Sequence, residues 1–267
     1  KFGSPDQKRQ WLDPLLDGKI WTAFGMTEPE VASSDARNIR TRIRRDGSDY
    51  VIDGRKWFIS GANHPDCKIV IVVGVTDAEG GSSSKHSHVI VPVGTPGMEI
   101  LRTLPIFGRG EALGGACEIN LRNVRVPQSN RLGEEGAGFA MSQARLGVAR
   151  VHHCMRSLGS CDVLIQLMRE RAMSRRAFGR MVGEYANIQD YIALSRIELE
   201  QAKLLVYKAA WLLDEGGPEA ARREISMIKV AVARAYSAIA DRAVQIFGGA
   251  GVTDDTPVAA AYTAARA

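Results

Sequence analysis

The spacing of apolar residues changes once along this chain, near Gly133, and that change limits what it can fold into. Up to that glycine, apolar and polar residues alternate with the two-residue period of a half-buried strand. Ile39 to Arg45 alternates, Asp46-Gly47 carries a hairpin signal, and Tyr50 to Ile52 resumes the alternation. Asp53-Gly54 reads as a second turn ahead of Lys56-Trp57-Phe58-Ile59-Ser60. Lys68 to Val75 is a continuous β-branched run, as in a strand covered on both faces. His88 to Val93, Met98 to Leu104 and Cys117 to Val126 supply further strands. The polar, glycine-rich 80–87 stretch reads as an exposed hairpin tip. Short strands at this spacing predict a small antiparallel β-sandwich or barrel over residues 20–133.

Beyond Gly133 the apolar residues recur at three- and four-residue steps. Ile188, Ile192, Ser195, Leu199, Ala202, Val206, Ala209 and Leu213 form a bundle seam, with Arg196, Glu198, Glu200 and Lys203 off it. Gly216-Gly217-Pro218 breaks that helix. Another runs from Glu219 to Phe247 and stops at Gly248, and Phe139 to Met173 is helical too. These predict an all-α four-helix bundle over 134–267. Ahead of the strands, Pro5 and the grouping of Trp11, Leu12, Leu15 and Leu16 predict a helical segment over 1–19. The predicted fold class is α+β.

Composition narrows the function. With 45% hydrophobic and 24% charged residues, the chain can bury a substantial core. A formal charge of +5, from 35 basic against 30 acidic residues, is no nucleic-acid footprint. The Arg37, Arg40, Arg42, Arg44 and Arg45 cluster, interleaved with Ile39 and Ile43, reads as the solvated face of a strand. The longest apolar run, Ile69 to Val75, falls far short of the ~20 residues that span a bilayer. Cys67, Cys117, Cys154 and Cys161 lack CxxC spacing and read as reduced, buried small hydrophobes in a reducing compartment. The chain opens on Lys1 and stops at Ala267 inside a helical pattern, so both ends read as cut.

Two motifs carry the chemistry. Phe24-Gly25-Met26-Thr27-Glu28-Pro29-Glu30-Val31-Ala32-Ser33-Ser34-Asp35 ends an apolar approach with a hydroxyl, a carboxylate and a proline turn. Such a loop can lay N–H groups and short hydroxyls against a flat anionic ligand. Alone, Thr27 also fits a strand-end hydroxyl capping the Pro29 turn. Gln245-Ile246-Phe247-Gly248-Gly249-Ala250-Gly251-Val252 ends a helix in glycines, which suits close backbone approach or a plain helix cap.

The order and separation of these motifs resemble the acyl-CoA dehydrogenase family of flavoenzymes, over essentially the whole chain. Arg150-Val151-His152-His153-Cys154-Met155-Arg156 is most similar to the branch of family members ten and eleven. The resemblance implies FAD as cofactor and an acyl-CoA thioester as substrate. In such enzymes a carboxylate removes the α-proton while hydride leaves the β-carbon for flavin N5. By the same resemblance, the Thr27 hydroxyl meets the flavin near N5, Met26 offers backbone groups to the pyrimidine edge, and Ser34 bonds the pyrophosphate. The family's usual Thr-Glu-Pro-Gly-x-Gly-Ser-Asp loop is altered here by Glu30, Ala32 and Ser33, which leaves Ser33 as the alternative to Ser34.

Phe58 and Ser60 match the aromatic and hydroxyl that pack against the isoalloxazine, with Trp57 as the alternative aromatic. Two residues apart on a regular strand, they would face one ring together. Arg175 (or Arg176), Phe178, Gln245, Gly248 and Gly249 match positions reaching the FAD of a neighbouring subunit. A homodimer or homotetramer is therefore implied.

Arg150 matches an arginine near the CoA portion. Where some members place their catalytic glutamate, this chain has Ala149, so the base is expected beyond Ala267. His152 and His153 read as pocket lining; adjacent helical residues point about 100° apart and cannot share a metal. Glu28 reads as orienting its loop. Electron-transfer flavoprotein is the implied electron acceptor, with an oxidase of the same fold and a catalytically inactive assembly protein as alternatives. The compartment implied is cytoplasmic in a bacterium and mitochondrial or peroxisomal in a eukaryote.

Overall fold

The computed structural model describes residues 2–76, 84–108 and 114–266. It divides into two compact units, Lys1–Gln143 and Ala144–Ala267.

The first unit opens with a helical stretch: α1 (Pro5–Gln7), a π-helical segment at Lys8–Leu12, and α2 (Asp13–Leu16). Ser4 starts it with a reciprocal cap, accepting from the Gln7 N–H at 3.2 Å while its own N–H donates to Gln7 Oε1 at 3.0 Å. Eight strands follow: β1 (Trp21–Gly25), β2 (Arg42–Asp46), β3 (Asp49–Ser60), β4 (Cys67–Val75), β5 (His86–Pro92), β6 (Met98–Thr103), β7 (Ala116–Pro127) and β8 (Arg131–Leu132).

They join in one sheet in the order β6-β7-β3-β2-β4-β5-β8, with β1 laid against β4. Most pairings are antiparallel, but β1 runs parallel to β4 and β2 touches β4 in parallel at Arg42 and Val75. Ala23, Ile43, Ile52, Val72, Val91, Ile119 and Val126 share one core, so strands from both ends of the order enclose a common apolar interior. Ile69, Val70, Val72 and Val73 on β4 are all buried, as the β-branched run predicts.

One expectation is corrected. Asp53-Gly54 is not a turn, because β3 runs unbroken from Asp49 to Ser60 beside β7 and shifts register between Ile52 and Gly54. A Cβ on Gly54 would collide with the Thr41 side chain, so the glycine serves close approach. Of the 80–87 tip, residues 80–83 lie outside the described residues, and His86 and Ser87 already belong to β5.

The second unit holds most of α3 (Gly138–Ser174), then α4 (Ala186–Ala220), α5 (Arg222–Phe247) and α6 (Pro257–Arg266). A short hairpin, β9 (Arg176–Ala177) and β10 (Arg180–Met181), joins α3 to α4. The α4 seam is buried as its spacing predicts, at Ile188, Ser195, Leu199, Ala202, Val206 and Ala209. It packs with Cys161, Leu164 and Met168 of α3 and Ile228, Val232 and Ile239 of α5. Gly217 interrupts the end of α4 with φ 72° and ψ −171°. No helix among the described residues is long and apolar enough to cross a membrane.

Candidate functional site

In the first unit, β1 delivers Met26 and Thr27 just beyond its last residue, Gly25. Thr27 is clamped to β3 twice. Its carbonyl accepts from the Trp57 N–H at 3.1 Å, and its hydroxyl donates to the Trp57 carbonyl. At that point β3 leaves its regular ladder, with a register shift between Lys56 and Ile59. Phe58 absorbs it by adopting φ 54°, a left-handed backbone rare for a bulky side chain.

Phe58 is 49% exposed and packs edge-on against Trp57, with ring centroids 4.8 Å apart. Strand alternation does not set the faces of Phe58 and Ser60, because a bulge between Lys56 and Ile59 breaks the two-residue period. Both side chains are nonetheless exposed, while Trp57 is half-buried.

Beneath this rim lies a buried ion pair. Lys56 Nζ donates to Glu28 Oε1 at 2.9 Å, to the Met26 carbonyl at 3.0 Å and to the Val73 carbonyl at 2.7 Å. Glu28 is 3% exposed and also accepts from the Arg40 and Thr41 N–H groups, each at 2.8 Å, and from the Thr41 hydroxyl at 2.6 Å. Burial pushes the Lys56 ammonium down to about 8, against the pull of Glu28. Burial works to raise the Glu28 carboxyl, but the Lys56 charge and the Thr41, Lys56 and Arg40 hydrogen bonds outweigh it and hold Glu28 below its ordinary 4.5. Glu28 thus orients the loop, with both of its oxygens accepting hydrogen bonds from within the unit.

The sign of its pH effect follows. Its folded pKa lies below the unfolded one, so its stabilisation is present above about 4.5 and is lost as pH falls through the folded value. Thermal unfolding scanned from neutral to acid pH is expected to lose less stability in Glu28→Gln than in the parent. An identical slope would remove Glu28 as a contributor.

The two serines of the loop separate. Ser33 Oγ accepts from the Glu28 N–H at 2.8 Å and so belongs to the loop's own bonding. Ser34 is exposed, and no hydrogen bond involves its hydroxyl among the described residues. Asp35 caps the short helix Ala36–Asn38 through the Arg37 N–H at 3.1 Å.

In the second unit, the other predicted residues gather at one end of the bundle. Arg171 on α3 lies over the Phe247 ring at 5.4 Å, which places the end of α3 beside the end of α5. Arg176 is engaged, its Nη1 donating to the Gly179 carbonyl at 3.2 Å. Arg175 is exposed, and its guanidinium makes no hydrogen bond or ion pair among the described residues. Phe178 is 98% exposed at φ 49°, followed by Gly179 at φ 83°. Two positive φ values in a two-residue hairpin make a type I′ turn, a position that Asn usually fills. Gln245 is exposed, and Gly248, at φ 61°, stops α5 with its N–H on the Val244 carbonyl. A Cβ on Gly249 would meet nothing within 4 Å, so the glycine pair leaves open space above the backbone.

Arg150 sits half-buried on α3 beside Ala149. His152 and His153 are exposed, with ring centroids 5.9 Å apart. Burial, then Arg156, lowers His153 below its ordinary value. The first unit therefore collects Met26, Thr27, Ser34, Phe58 and Ser60, and the second collects Arg175, Phe178, Gln245, Gly248 and Gly249.

Lys56 escaped the sequence reading, because a lysine in a strand reads as solvent-facing. Parity along β3 offers no signal for it, because Val51 is as buried as Tyr50 and Ile52 and the register shifts between Ile52 and Gly54.

Comparison with known proteins identifies both parts of the chain. Residues 23–124 match the acyl-CoA dehydrogenase middle domain and residues 136–267 the acyl-CoA dehydrogenase C-terminal domain. The chain is 54% identical to FadE2 of Mycobacterium tuberculosis, over 98% of this chain and 64% of that protein. It is 49% identical to acyl-CoA dehydrogenase family member 11 of Rattus norvegicus, over 99% of this chain and 34% of that protein. It thus spans less than two thirds of the first relative and about a third of the second. The structure of butyryl-CoA dehydrogenase from Megasphaera elsdenii superposes with a TM-score of 0.88 at 30% identity, over 99% of this chain and 67% of that one. With the middle and C-terminal domain types matched in order over most of its length, the chain belongs to the acyl-CoA dehydrogenase family.

Proposed function

We propose that the protein is an FAD-dependent acyl-CoA dehydrogenase that oxidises the α,β-bond of an acyl-CoA thioester. The observation that carries this reading is the Thr27–Phe58 rim. A bulky aromatic is held exposed in a costly backbone conformation beside a hydroxyl clamped to the same strand, over a buried ion pair. Strain of this kind persists where the surroundings enforce it, and it clusters at ligand sites.

The residues fit FAD. Phe58 and Ser60 offer an exposed aromatic face and a hydroxyl, and Ser34 offers a second uncommitted hydroxyl. The Thr27 proton is committed to the Trp57 carbonyl, which leaves the oxygen's lone pairs to accept a hydrogen bond at the ring edge. Lys56 fixes the Met26 peptide through its carbonyl. Arg175 is an uncommitted guanidinium suited to a diphosphate, beside the exposed Phe178 and the open Gly248-Gly249 backbone, for the cofactor of a second subunit. When bound, FAD supplies the hydride acceptor.

Arg150 would serve the CoA portion. Ala149 carries no ionisable group, and Glu28 is held in the loop's own hydrogen bonds, so neither is assigned as the base for the α-proton. Electrons pass to an electron-transfer flavoprotein.

Anaerobic addition of acyl-CoA to the flavin-loaded protein, followed by absorbance, tests the reading. Bleaching of the flavin band is expected, with slow reoxidation in air. Colourless protein that cannot be reconstituted would overturn the assignment, and rapid peroxide formation in air would convert it to an oxidase. Thr27→Val is expected to slow flavin reduction about tenfold while leaving acyl-CoA affinity nearly unchanged, the effect of one lost hydrogen bond. Unchanged reduction kinetics would remove Thr27 from the site.

A further inference from the structure

The Lys56 ammonium is fully buried, and each of its protons has an acceptor: Glu28 Oε1 at 2.9 Å, the Met26 carbonyl at 3.0 Å and the Val73 carbonyl at 2.7 Å. It has no proton left to give a ligand, so it acts beyond the loop only through its charge. Three further donors, the Arg40 and Thr41 N–H groups and the Thr41 hydroxyl, share the Glu28 charge. The Lys56 charge, by contrast, bears directly on the Met26 carbonyl. Packed apolar side chains commonly hold a fold as well as a buried ion pair does. Stability alone therefore does not account for a cation behind this peptide.

The Met26 carbonyl and the Thr27 N–H are the two ends of one amide. A cation at the oxygen draws electron density along the group and makes its N–H a stronger donor. That N–H makes no hydrogen bond among the described residues. It belongs to the residue clamped at the rim through Trp57.

We propose that Lys56 is a positioning residue for the redox step: through the Met26–Thr27 peptide it strengthens the Thr27 N–H as a donor to the pyrimidine edge of the flavin, more for the electron-rich reduced ring than for the oxidised one. A donor held in place where charge develops stabilises the charged state selectively. The inference rests on the flavin reading above and adds that the buried cation raises the cofactor's reduction potential.

The sign with pH follows from the surroundings. Burial lowers Lys56 to about 8 against the pull of Glu28, so the charge is present below that value and is lost as pH rises through it. The charged and titratable groups facing it are Glu28 and, from β5, His86, which burial holds below its ordinary 6.5. A break near 8 therefore belongs to Lys56. Glu28 is the group that holds Lys56 up, so Glu28→Gln moves the break to lower pH.

Two readouts test the proposal. Met26-Thr27 is the only Met-Thr pair in the sequence, so labelling methionine at the carbonyl carbon and threonine at nitrogen isolates one HNCO peak, from this peptide. In the parent that peak is expected to titrate with a midpoint near 8, and in Glu28→Gln at lower pH. In Lys56→Met combined with Glu28→Gln it is expected not to titrate. The double variant strands no charge, and circular dichroism checks its fold; the shifted break in Glu28→Gln alone keeps the test decisive.

The second readout is the midpoint potential of the flavin-loaded proteins. At neutral pH the double variant is expected to lie below the parent by about 30 mV, a tenfold loss of preference for reduced flavin in a two-electron couple. That gap closes as pH rises past about 8. A purely structural role would weaken both oxidation states alike and leave no pH-dependent gap. A parent peak indifferent to pH, or equal potentials in parent and double variant, would overturn the proposal. Protein that takes up no flavin would sink the functional reading and the redox consequence with it, a distinct outcome because the titrating peak would survive.

Discussion

Replacing Lys56 by methionine is expected to lower the unfolding free energy by about 3–5 kcal/mol, the usual cost of leaving one partner of a buried ion pair alone. The substitution strands the Glu28 carboxylate at 3% exposure with three remaining donors and no opposing charge. It also frees the Met26 and Val73 carbonyls, both bound to Lys56 Nζ. Urea unfolding followed by tryptophan emission measures the effect, with Trp57 beside the perturbed site. Lys56→Met combined with Glu28→Gln is expected to recover a large part of the loss, because the stranded charge is then gone. Equal destabilisation in the single and double variants would show that hydrogen bonds to Lys56, rather than charge, hold the loop.

Arg175→Glu is expected to weaken retention of FAD about 100-fold, roughly the 1.5–3 kcal/mol of a charge-assisted hydrogen bond lost to repulsion. The expectation depends on the proposed function and on the separation of two adjacent arginines. Arg176 is tied into the β9–β10 hairpin through the Gly179 carbonyl, whereas Arg175 is uncommitted. Arg176→Glu is therefore expected to disturb the hairpin, and Arg175→Glu the cofactor. Flavin content after gel filtration separates them. Full occupancy in Arg175→Glu would move the anion contact away from this helix end.

Much of this architecture was legible in the spacing of apolar residues. Alternation gave the strands, the four-and-three rhythm gave α4, and Gly217 and Gly248 end helices where the glycines predict. The failures share one cause, namely contacts between residues distant in sequence. Gly54 looked like a turn because glycine after aspartate usually makes one, yet here it admits Thr41 from a neighbouring strand. Phe58 defeated the alternation because Thr27, thirty-one positions earlier, grips the Trp57 peptide beside it. Burial of Lys56 is not legible locally, because its counter-charge, Glu28, sits in another motif. The residues assigned by family likeness were placed on two surfaces, but their uncommitted or strained state became visible only in three dimensions.

The four cysteines have a practical consequence. All are free and buried, Cys67 and Cys117 within the first unit and Cys154 and Cys161 within the second. Burial raises the Cys67 and Cys154 thiols and pushes Cys161 up to about 12, which disfavours the reactive thiolate at these three sites while the chain is folded. An alkylating reagent therefore has to wait for the protein to open. Mass-resolved tagging of the two pairs would act as a stopwatch for each half of the molecule, timing its spontaneous excursions without any engineered probe.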